Sequence, residues 1–549
     1  MNMLKKHKDT IILSTLFLLE FALFRTCVQR EIIGKCPRNI DQAVFMRITY
    51  HMYENIVQGN WGAVFEEIRS GLGQGAFPIF GLIYMFLFGK SRLSLLSVNF
   101  TLFVLAQTVG FCSVKKISGC TKLGYAFLGL FLMTQSPFFE AGGLFDYRMD
   151  FSAFCLYTCW TATFTSAHFL KSTRTYYMSA VFCGFVLMFR SNTLAYIGIA
   201  FLFFECIYVV ILREENFINE IVKLVKYGCV VILSGGWYIL LESRALYNYY
   251  VTAHVTSEEP RIRMIEQGID SVSSYLLFYP RNLYKEHLGK TLSCSLVVLI
   301  ILSLLMYFIN RKKEKLKIAK KEWSALFACM CGFGAPFIVL TIDISKSAVV
   351  ICTTAGTAVF LAMLFIVITY NRNLWSNKIV FMMAGIGVLL GLFNYVDNTT
   401  RIHVGYERDI QKEMLAINEC MEEYLIENNL QSANLLVDRV SDAIYTDIIT
   451  VLIYEKYDLY VDMRYAWSDM NIYHNYTDDE VNEALSKADL IVLSKEPYKR
   501  YSVYPINSSY DKYRELMLQY ADANLYNLGE FVLGGEQMLV FAKAQVDDR

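Results

Sequence analysis

Residues 348–370 read AVVICTTAGTAVFLAMLFIVITY, an apolar run of 23 residues without a charged side chain. A helix of about 20 apolar residues is long enough to cross the ~30 Å hydrocarbon core of a bilayer. Ten further apolar blocks lie at residues 11–24, 95–113, 123–138, 151–170, 176–189, 194–212, 227–241, 291–309, 323–342 and 379–396. The pattern predicts a polytopic α-helical membrane protein with about 11 transmembrane helices.

The composition of the chain agrees with this prediction. Of the 549 residues, 55% are hydrophobic and 19% are charged, whereas soluble domains carry about 25% charged residues. Lys+Arg and Asp+Glu balance at 51 each. A balanced charge gives no basic field, so the composition does not indicate a nucleic-acid partner.

Most of the 14 cysteines lie in apolar blocks, where thiols behave as small hydrophobic groups. The spacing of the cysteines and histidines does not match a zinc site. Cys27 and Cys36 flank the start of the first outer segment. The sequence leaves open whether these two thiols pair or only pack.

The distribution of Lys and Arg predicts which connections face the cytoplasm. The densest cluster is RKKEKLKIAKK at 311–321. It is cytoplasmic if the short apolar stretch 77–88 lies in the interface without crossing the membrane. This topology predicts a multi-pass protein of the plasma membrane with a cytoplasmic N-terminus. The transmembrane domain is then 1–396, with outer loops at 25–93, 139–150 and 242–290.

Residues 397–549 differ in character and predict an extracytoplasmic α/β domain. Short β-branched runs alternate with helical patterns, and a closing hairpin is predicted around Gly534 and Gly535. The domain has neither a G-x-G-x-x-G motif nor a P-loop, so nucleotide binding has no support. A docking platform, an acceptor-recognition module and a structural cap are all consistent with this pattern.

The first outer loop contains an acidic residue at the start of a helical pattern. Residues 37–47 read PRNIDQAVFMR, and apolar side chains recur at helical spacing from Val44 to Ile56. Asp41 is predicted on the same inward stripe, where a carboxylate needs a partner or a chemical task. The alternative is that Asp41 or Asn39 only caps the helix.

The second outer loop reads FEAGGLFDYRMD at 139–150, so Asp146, Arg148 and Asp150 alternate just before a predicted span. Next to Asp41 they would form an acidic cluster with one guanidinium. Such a cluster suits a divalent cation, Mg²⁺ or Mn²⁺, on Asp146 and Asp150, or a phosphate on Arg148. A solvated boundary loop is the alternative.

Several other features follow in a fixed order. A first span precedes the long loop with Asp41, then G-x-W at 59–61, then GQGAFPIFGLIYMFLFG at 73–89, and then the second acidic motif after the third span. This order, over most of residues 1–245, resembles the GT-C class of membrane glycosyltransferases. The class includes protein O-mannosyltransferases, lipid A aminoarabinose transferases and oligosaccharyltransferases.

The resemblance implies transfer of a sugar from a polyprenyl-phosphate donor to a glycan, lipid or protein acceptor of the cell envelope, at the outer membrane face. It makes Asp41 the first-loop acid, and Asp146 or Asp150 the second-loop acid. A carboxylate is needed to deprotonate the acceptor hydroxyl, and cations are needed to stabilise the leaving phosphate.

Further candidate residues complete the predicted site. The candidate donor-phosphate ligands are Arg148, Arg190 and Arg244, and the candidate substrate-binding residues are Glu140, His51 and Tyr249. For each arginine the alternative is a side chain that extends to the membrane surface, and for Tyr249 it is an interfacial aromatic belt.

Two other functions stay open. A secondary transporter or flippase is disfavoured because the spans show no internal repeat and no paired broken helices. A non-catalytic GT-C-like scaffold of an envelope complex stays open because Asp41 is followed by Gln42, where the class has a second acid.

Overall fold

The computed structural model describes residues 7–70, 75–212, 216–253, 258–311, 318–402, 408–439, 443–467, 474–497 and 504–544. We call residues 7–402 the helical unit and residues 408–544 the sheet unit. The basic cluster predicted at 311–321 lies mostly outside the described residues.

The helical unit contains eighteen α-helices among its described residues. They are α1 (Lys8–Glu31), α2 (Ile40–Val57), α3 (Trp61–Arg69), α4 (Phe77–Phe88), α5 (Arg92–Ser118), α6 (Thr121–Leu132), α7 (Met149–Leu170), α8 (Thr173–Phe189), α9 (Thr193–Ile207), α10 (Phe217–Val231), α11 (Tyr238–Leu241), α12 (Ser243–Tyr247), α13 (Glu259–Glu266), α14 (Val272–Asn282), α15 (Lys290–Arg311), α16 (Lys320–Ile342), α17 (Thr353–Tyr370) and α18 (Asn377–Arg401). Helix α7 is the central helix of the bundle, and it packs against α5, α8, α16 and α17.

Seven helices in the described part of the chain are long and apolar enough to cross a membrane. They are Lys8–Glu31, Arg92–Ser118, Thr193–Ile211, Lys290–Asn310, Lys320–Ile342, Val349–Tyr370 and Asn377–Arg401. The predicted polytopic helical architecture is confirmed. The predicted count of eleven transmembrane helices stays a prediction. Other apolar helices, such as α6 with 12 residues, are shorter than the roughly 20 residues that cross a bilayer.

Two predicted helices have different ends in the structure. The helix predicted over 123–138 ends at Leu132, and a single 3₁₀ turn with Pro137 follows. The helix predicted over 227–241 starts ten residues earlier, at Phe217, and is interrupted at Gly235. A Cβ on Gly235 would lie 2.4 Å from the carbonyl oxygen of Gly184, so the close approach of α8 requires glycine there.

The sheet unit has the α/β character predicted for the tail. Its strands are β1 (Ser432–Val437), β2 (Asp462–Tyr465), β3 (Leu490–Ser494), β4 (Leu525–Leu533) and β5 (Glu536–Lys543), and its helices are α19 (Arg408–Glu427), α20 (Thr446–Tyr457), α21 (Asp478–Lys487) and α22 (Pro505–Asn524). The strand order is β2-β1-β3-β5-β4, in which β1 is parallel to β2 and β3, and β5 is antiparallel to β3 and β4. The predicted hairpin turns at Gly534 and Gly535, which both have positive φ.

The question left open for Cys27 and Cys36 is answered by their environments. Both are buried free thiols. Cys27 packs in the core of the helical unit, whereas Cys36 packs in the core of the sheet unit. The two cysteines therefore stabilise different cores.

Buried polar contacts join α20 of the sheet unit to the helical unit. The Nε atom of Arg92 lies 2.8 Å from Oε1 of Glu455, and the hydroxyl group of Tyr50 donates to the same oxygen at 2.7 Å. Arg47 pairs with Asp447 in the same interface. Because the side chain of Arg92 is only 2% exposed, water cannot solvate its positive charge, and the carboxylate of Glu455 compensates it instead.

We expect Glu455→Ala to lower the free energy of unfolding by about 3 kcal/mol, because it leaves the buried Arg92 guanidinium without its carboxylate. Thermal unfolding of the purified protein in detergent measures the effect. The matched control is Lys487→Met, which removes an exposed pair with Glu483 and should change the melting temperature little. Equal melting temperatures for Glu455→Ala and the wild type would contradict a structural role for this ion pair.

Candidate active site

Asn39, and not Asp41, caps helix α2. The Asn39 Oδ1 accepts a hydrogen bond from the backbone N–H of Gln42 at 2.8 Å. Asp41 follows in the first turn, and its side chain is 57% exposed. The prediction that Asp41 faces apolar matter is therefore wrong, because the buried stripe of α2 passes through neighbouring positions such as Gln42 and Phe45.

Asp146 holds the second outer loop against the start of α2. Its Oδ2 accepts hydrogen bonds from the backbone N–H of Gly142 at 2.6 Å and from Nδ2 of Asn39 at 3.1 Å. Nδ2 of Asn99 donates to the Asp146 carbonyl oxygen at 2.8 Å. Asp146 is fully buried, and this burial raises the pKa of its carboxyl group to about 6, although Arg148 and the hydrogen bonds act in the opposite direction.

Arg148 joins the two outer loops through a pair of carboxylates. Its Nη2 atom lies 2.8 Å from Oδ2 of Asp41, and its Nε lies 3.4 Å from Oδ2 of Asp150. Asp150 stands in the first turn of α7 and is almost completely buried. The Nη1 atom of Arg190 lies 2.5 Å from Oδ1 of Asp150. Acids and guanidinium groups therefore alternate in the order Asp41, Arg148, Asp150 and Arg190. We call these four residues the charge relay.

Helix packing explains why Arg190 reaches this site. Helices α7 and α8 are consecutive, with a connection only two residues long, and they pack side by side. Asp150 begins α7 and Arg190 is the C-terminal cap of α8, so both lie at the same end of the helix pair.

The third outer loop places Tyr249 next to the charge relay. Tyr249 lies close enough to Asp41, Arg148 and Arg190 to interact with them electrostatically, and burial raises the pKa of its phenol group. Arg263 of α13 also interacts with this phenol and pairs with Glu259 at 2.6 Å. Sequence reasoning missed Arg263, and its location in the third outer loop was the only available signal.

Three predicted site residues lie away from the relay. The Glu140 side chain is 63% exposed, and its Oε1 lies 3.8 Å from Nη2 of Arg38, at the rim of the second loop. Nδ1 of His51 lies 3.2 Å from Oε2 of Glu67. His51 is ten residues after Asp41 on α2, which places it about 15 Å along the helix. Arg244 is exposed on α12, and no ion pair between it and the relay is seen in the described part of the chain.

Glu242 is a buried acid that sequence reasoning also missed. It is fully buried, and it accepts a hydrogen bond from the hydroxyl group of Ser191, the neighbour of Arg190. Burial raises the pKa of the Glu242 carboxyl group to about 7. The available signal was an acidic residue at the outer end of an apolar block.

In the charge relay, guanidinium groups already contact the carboxylate oxygens that a metal ion would need as ligands. Among the described residues, no three His, Cys, Asp or Glu side chains are grouped to hold a metal ion. Both oxygens of Asp150 face arginines, and Oδ2 of Asp146 accepts two N–H groups. A cation between Asp41 and Asp150 would have to displace Arg148. The divalent cation predicted from the sequence, Mg²⁺ or Mn²⁺, stays a prediction.

Solved structures resemble this chain in fold, although their sequences are only distantly similar to it. No family model and no curated protein sequence matches it. ArnT from Cupriavidus metallidurans, solved bound to undecaprenyl phosphate, superposes with a TM-score of 0.55 and 11% identity over 98% of each chain. The oligosaccharyltransferase AglB from Archaeoglobus fulgidus, in complex with an inhibitory peptide and a dolichol-phosphate, gives a TM-score of 0.52 and 11% identity over 100% of this chain and 75% of AglB.

A third structure agrees with these two. The Archaeoglobus fulgidus oligosaccharyltransferase tethered to an acceptor peptide with an NVT sequon gives a TM-score of 0.54 and 9% identity, over 99% of this chain and 75% of that one. This chain has the GT-C fold. The GT-C resemblance in the order of sequence features is thereby confirmed at the level of fold, and the apolar helices make the chain an integral membrane protein.

We expect stability to fall as the pH rises from about 4 to 6, because the folded chain holds the Asp146 proton up to a pKa of about 6 and an unfolded Asp loses it near 3.9. In Asp146→Asn this contribution is absent, so its melting temperature should depend less on pH than that of the wild type. Thermal unfolding in detergent at pH 5 and pH 7 measures the difference. Glu66→Gln, at an exposed carboxylate of α3, is the control and should keep the wild-type dependence. The same pH dependence in Asp146→Asn and the wild type would contradict the raised pKa.

Proposed function

We propose that this chain is a membrane glycosyltransferase that moves a sugar from a polyprenyl-phosphate donor to an acceptor hydroxyl group of a glycan, lipid or protein at the outer membrane face. The charge relay carries the proposal, because it combines an accessible carboxylate with two guanidinium groups at one end of a GT-C fold. ArnT and AglB were solved with undecaprenyl phosphate and dolichol-phosphate. Those ligands support a lipid phosphate as the donor for this chain.

Asp41 is the proposed general base. It is the exposed carboxylate of the relay, whereas Asp146 and Asp150 are buried. Arg148 lies 2.8 Å away and orients the carboxylate of Asp41, whose exposed oxygens can accept a proton. A well-positioned general base accelerates such reactions by roughly 10²–10⁴-fold.

The two guanidinium groups are the proposed phosphate ligands. The side chains of Arg148 and Arg190 are 15% and 12% exposed, so an incoming group can reach them while the surrounding protein excludes most water. Guanidinium groups bind phosphate oxygens through paired N–H donors. Asp150 contacts both arginines, and its proposed role is to position them.

The proposed reaction is a substitution at the anomeric carbon. The acceptor hydroxyl oxygen forms the new glycosidic bond, and its proton passes to Asp41. The bond between the anomeric carbon and the phosphate oxygen breaks, and its electron pair leaves with the phosphate, whose charge Arg148 and Arg190 stabilise. Tyr249, beside the relay, is the proposed aromatic contact for the sugar or the lipid head.

The proposed orientation follows from the position of the relay. The relay includes Asp41 of α2, and α20 of the sheet unit contacts Arg47 six residues later on the same helix, so both lie on the same side of the membrane. We place this side outside the cytoplasm and the N-terminus inside. A C-terminal reporter enzyme that is active only outside the cytoplasm tests the orientation, and activity of a cytoplasm-only reporter would reverse it.

We expect Asp41→Asn to lower sugar transfer about 10²-fold or more, because the amide cannot accept the acceptor proton. The measurement is the envelope glycan composition, by mass spectrometry, of a deletion strain complemented with each variant at equal membrane abundance. Glu66→Gln, at an exposed acid of α3 that pairs only with Arg69 among the described residues, is the control and should restore the glycan fully. Full restoration by Asp41→Asn would contradict its role as base. No glycan change on deletion would favour a scaffold or a transporter.

A further inference from the structure

A polar cavity lies at the end of the helical unit opposite the charge relay. It has a volume of about 130 Å³, and charged and aromatic side chains line it: His168, Lys171, Tyr176, Glu205, Glu220 and Lys223. His168 is 18 residues after Asp150 on the same helix, α7. A helical rise of 1.5 Å per residue separates the two sites by about 27 Å, close to the thickness of the hydrocarbon core.

Charges of both signs surround this cavity. Glu205 and Glu220 are buried at 6% exposure each. The hydroxyl group of Tyr176 donates to Oε1 of Glu205 at 3.1 Å, and Nζ of Lys223 lies 3.7 Å from Oε1 of Glu220. Lys171 lines the same space. Two acidic and two basic side chains around one cavity suit a ligand that carries a positive and a negative group.

His168 adds an unsatisfied polar atom to this site. Its Nε2 is buried and has no hydrogen-bond partner within the described residues. Aromatic rings enclose the imidazole, with ring centroids 4.6 Å away for Phe204 and 5.0 Å for Tyr208. A buried polar atom without a partner is costly, so a ligand that bonds to Nε2 would be stabilised there.

The surface beside the cavity is apolar and exposed. Ile211, Phe217, Ile218 and Ile221 are all exposed, whereas Glu220 on the same helix, α10, is buried toward the cavity. In a membrane protein such a surface contacts acyl chains. A ligand that combines a charged head with acyl chains therefore fits both the cavity and the surface beside it.

We propose that this cavity binds the headgroup of an aminophospholipid from the leaflet opposite the charge relay. The primary ammonium group of the lipid faces Glu205 and Glu220, and its phosphate faces Lys171 and Lys223. Phosphatidylethanolamine carries both groups. Phosphatidylcholine lacks N–H donors, and phosphatidylglycerol lacks the positive charge, so neither satisfies both halves of the site. This proposal does not depend on the proposed transferase activity.

The test uses the full-length protein in nanodiscs of phosphatidylethanolamine, phosphatidylcholine or phosphatidylglycerol. Native mass spectrometry of protein extracted from an equimolar mixture of the three lipids should show phosphatidylethanolamine retained about tenfold over each of the others. The melting temperature should also be highest in phosphatidylethanolamine. Equal retention and equal melting temperatures in the wild type would overturn the proposal, and this comparison needs no variant.

Variants then assign the preference to the cavity. Glu205→Gln with Glu220→Gln should abolish the preference for phosphatidylethanolamine over phosphatidylcholine, and Glu66→Gln on α3 should keep it. A preference that persists in the double variant would overturn the assigned residues. Soluble phosphoethanolamine, added to phosphatidylcholine nanodiscs, separates the two sources of this headgroup. If it alone raises the melting temperature as much as the lipid does, the lipid assignment is overturned.

Discussion

The contact between Arg148 and its two carboxylates determines how the two loops around the charge relay are arranged. Asp41 comes from the first outer loop, and Asp150 comes from the start of the central helix α7, 109 positions later in the chain. A guanidinium group that is 15% exposed cannot rely on water for its solvation, so it holds both loops at fixed positions. Arg190 extends the alternation from the other face of Asp150.

The sheet unit supports helix α2, which carries Asp41. Helix α2 is fixed at its start by Asn39 and Asp146, and it is fixed further along by Arg47 and Tyr50 against α20. Asp41, the proposed base, therefore stands on a helix that is held at its start and at its middle. A site held in this way places its reacting groups before substrate binds, which reduces the reorganisation needed in the transition state.

Much of the fold was predictable because apolar blocks and β-branched runs are local signals. Most of the helical blocks and the α/β character of the tail appear as the sequence indicated, although two of the helices have different ends. The break at Gly235 was not predictable, because it depends on the close approach of Gly184. The exposure of Asp41 was also missed, because the capping role passes to Asn39 and the adjacent positions take the buried face. The three loops carry the predicted charges, but their partners, and the contribution of Arg263 and Glu242, follow only from tertiary packing.

The most direct test of the account is a double-mutant cycle on sugar transfer with Asp41→Asn and Arg148→Gln, measured at equal membrane abundance. Because Arg148 contacts Asp41 and is also a proposed phosphate ligand, we predict strongly non-additive losses, with the double variant close to the slower single variant. Losses that simply multiply would mean that the two residues act independently, and this result would contradict the charge relay as a functional unit.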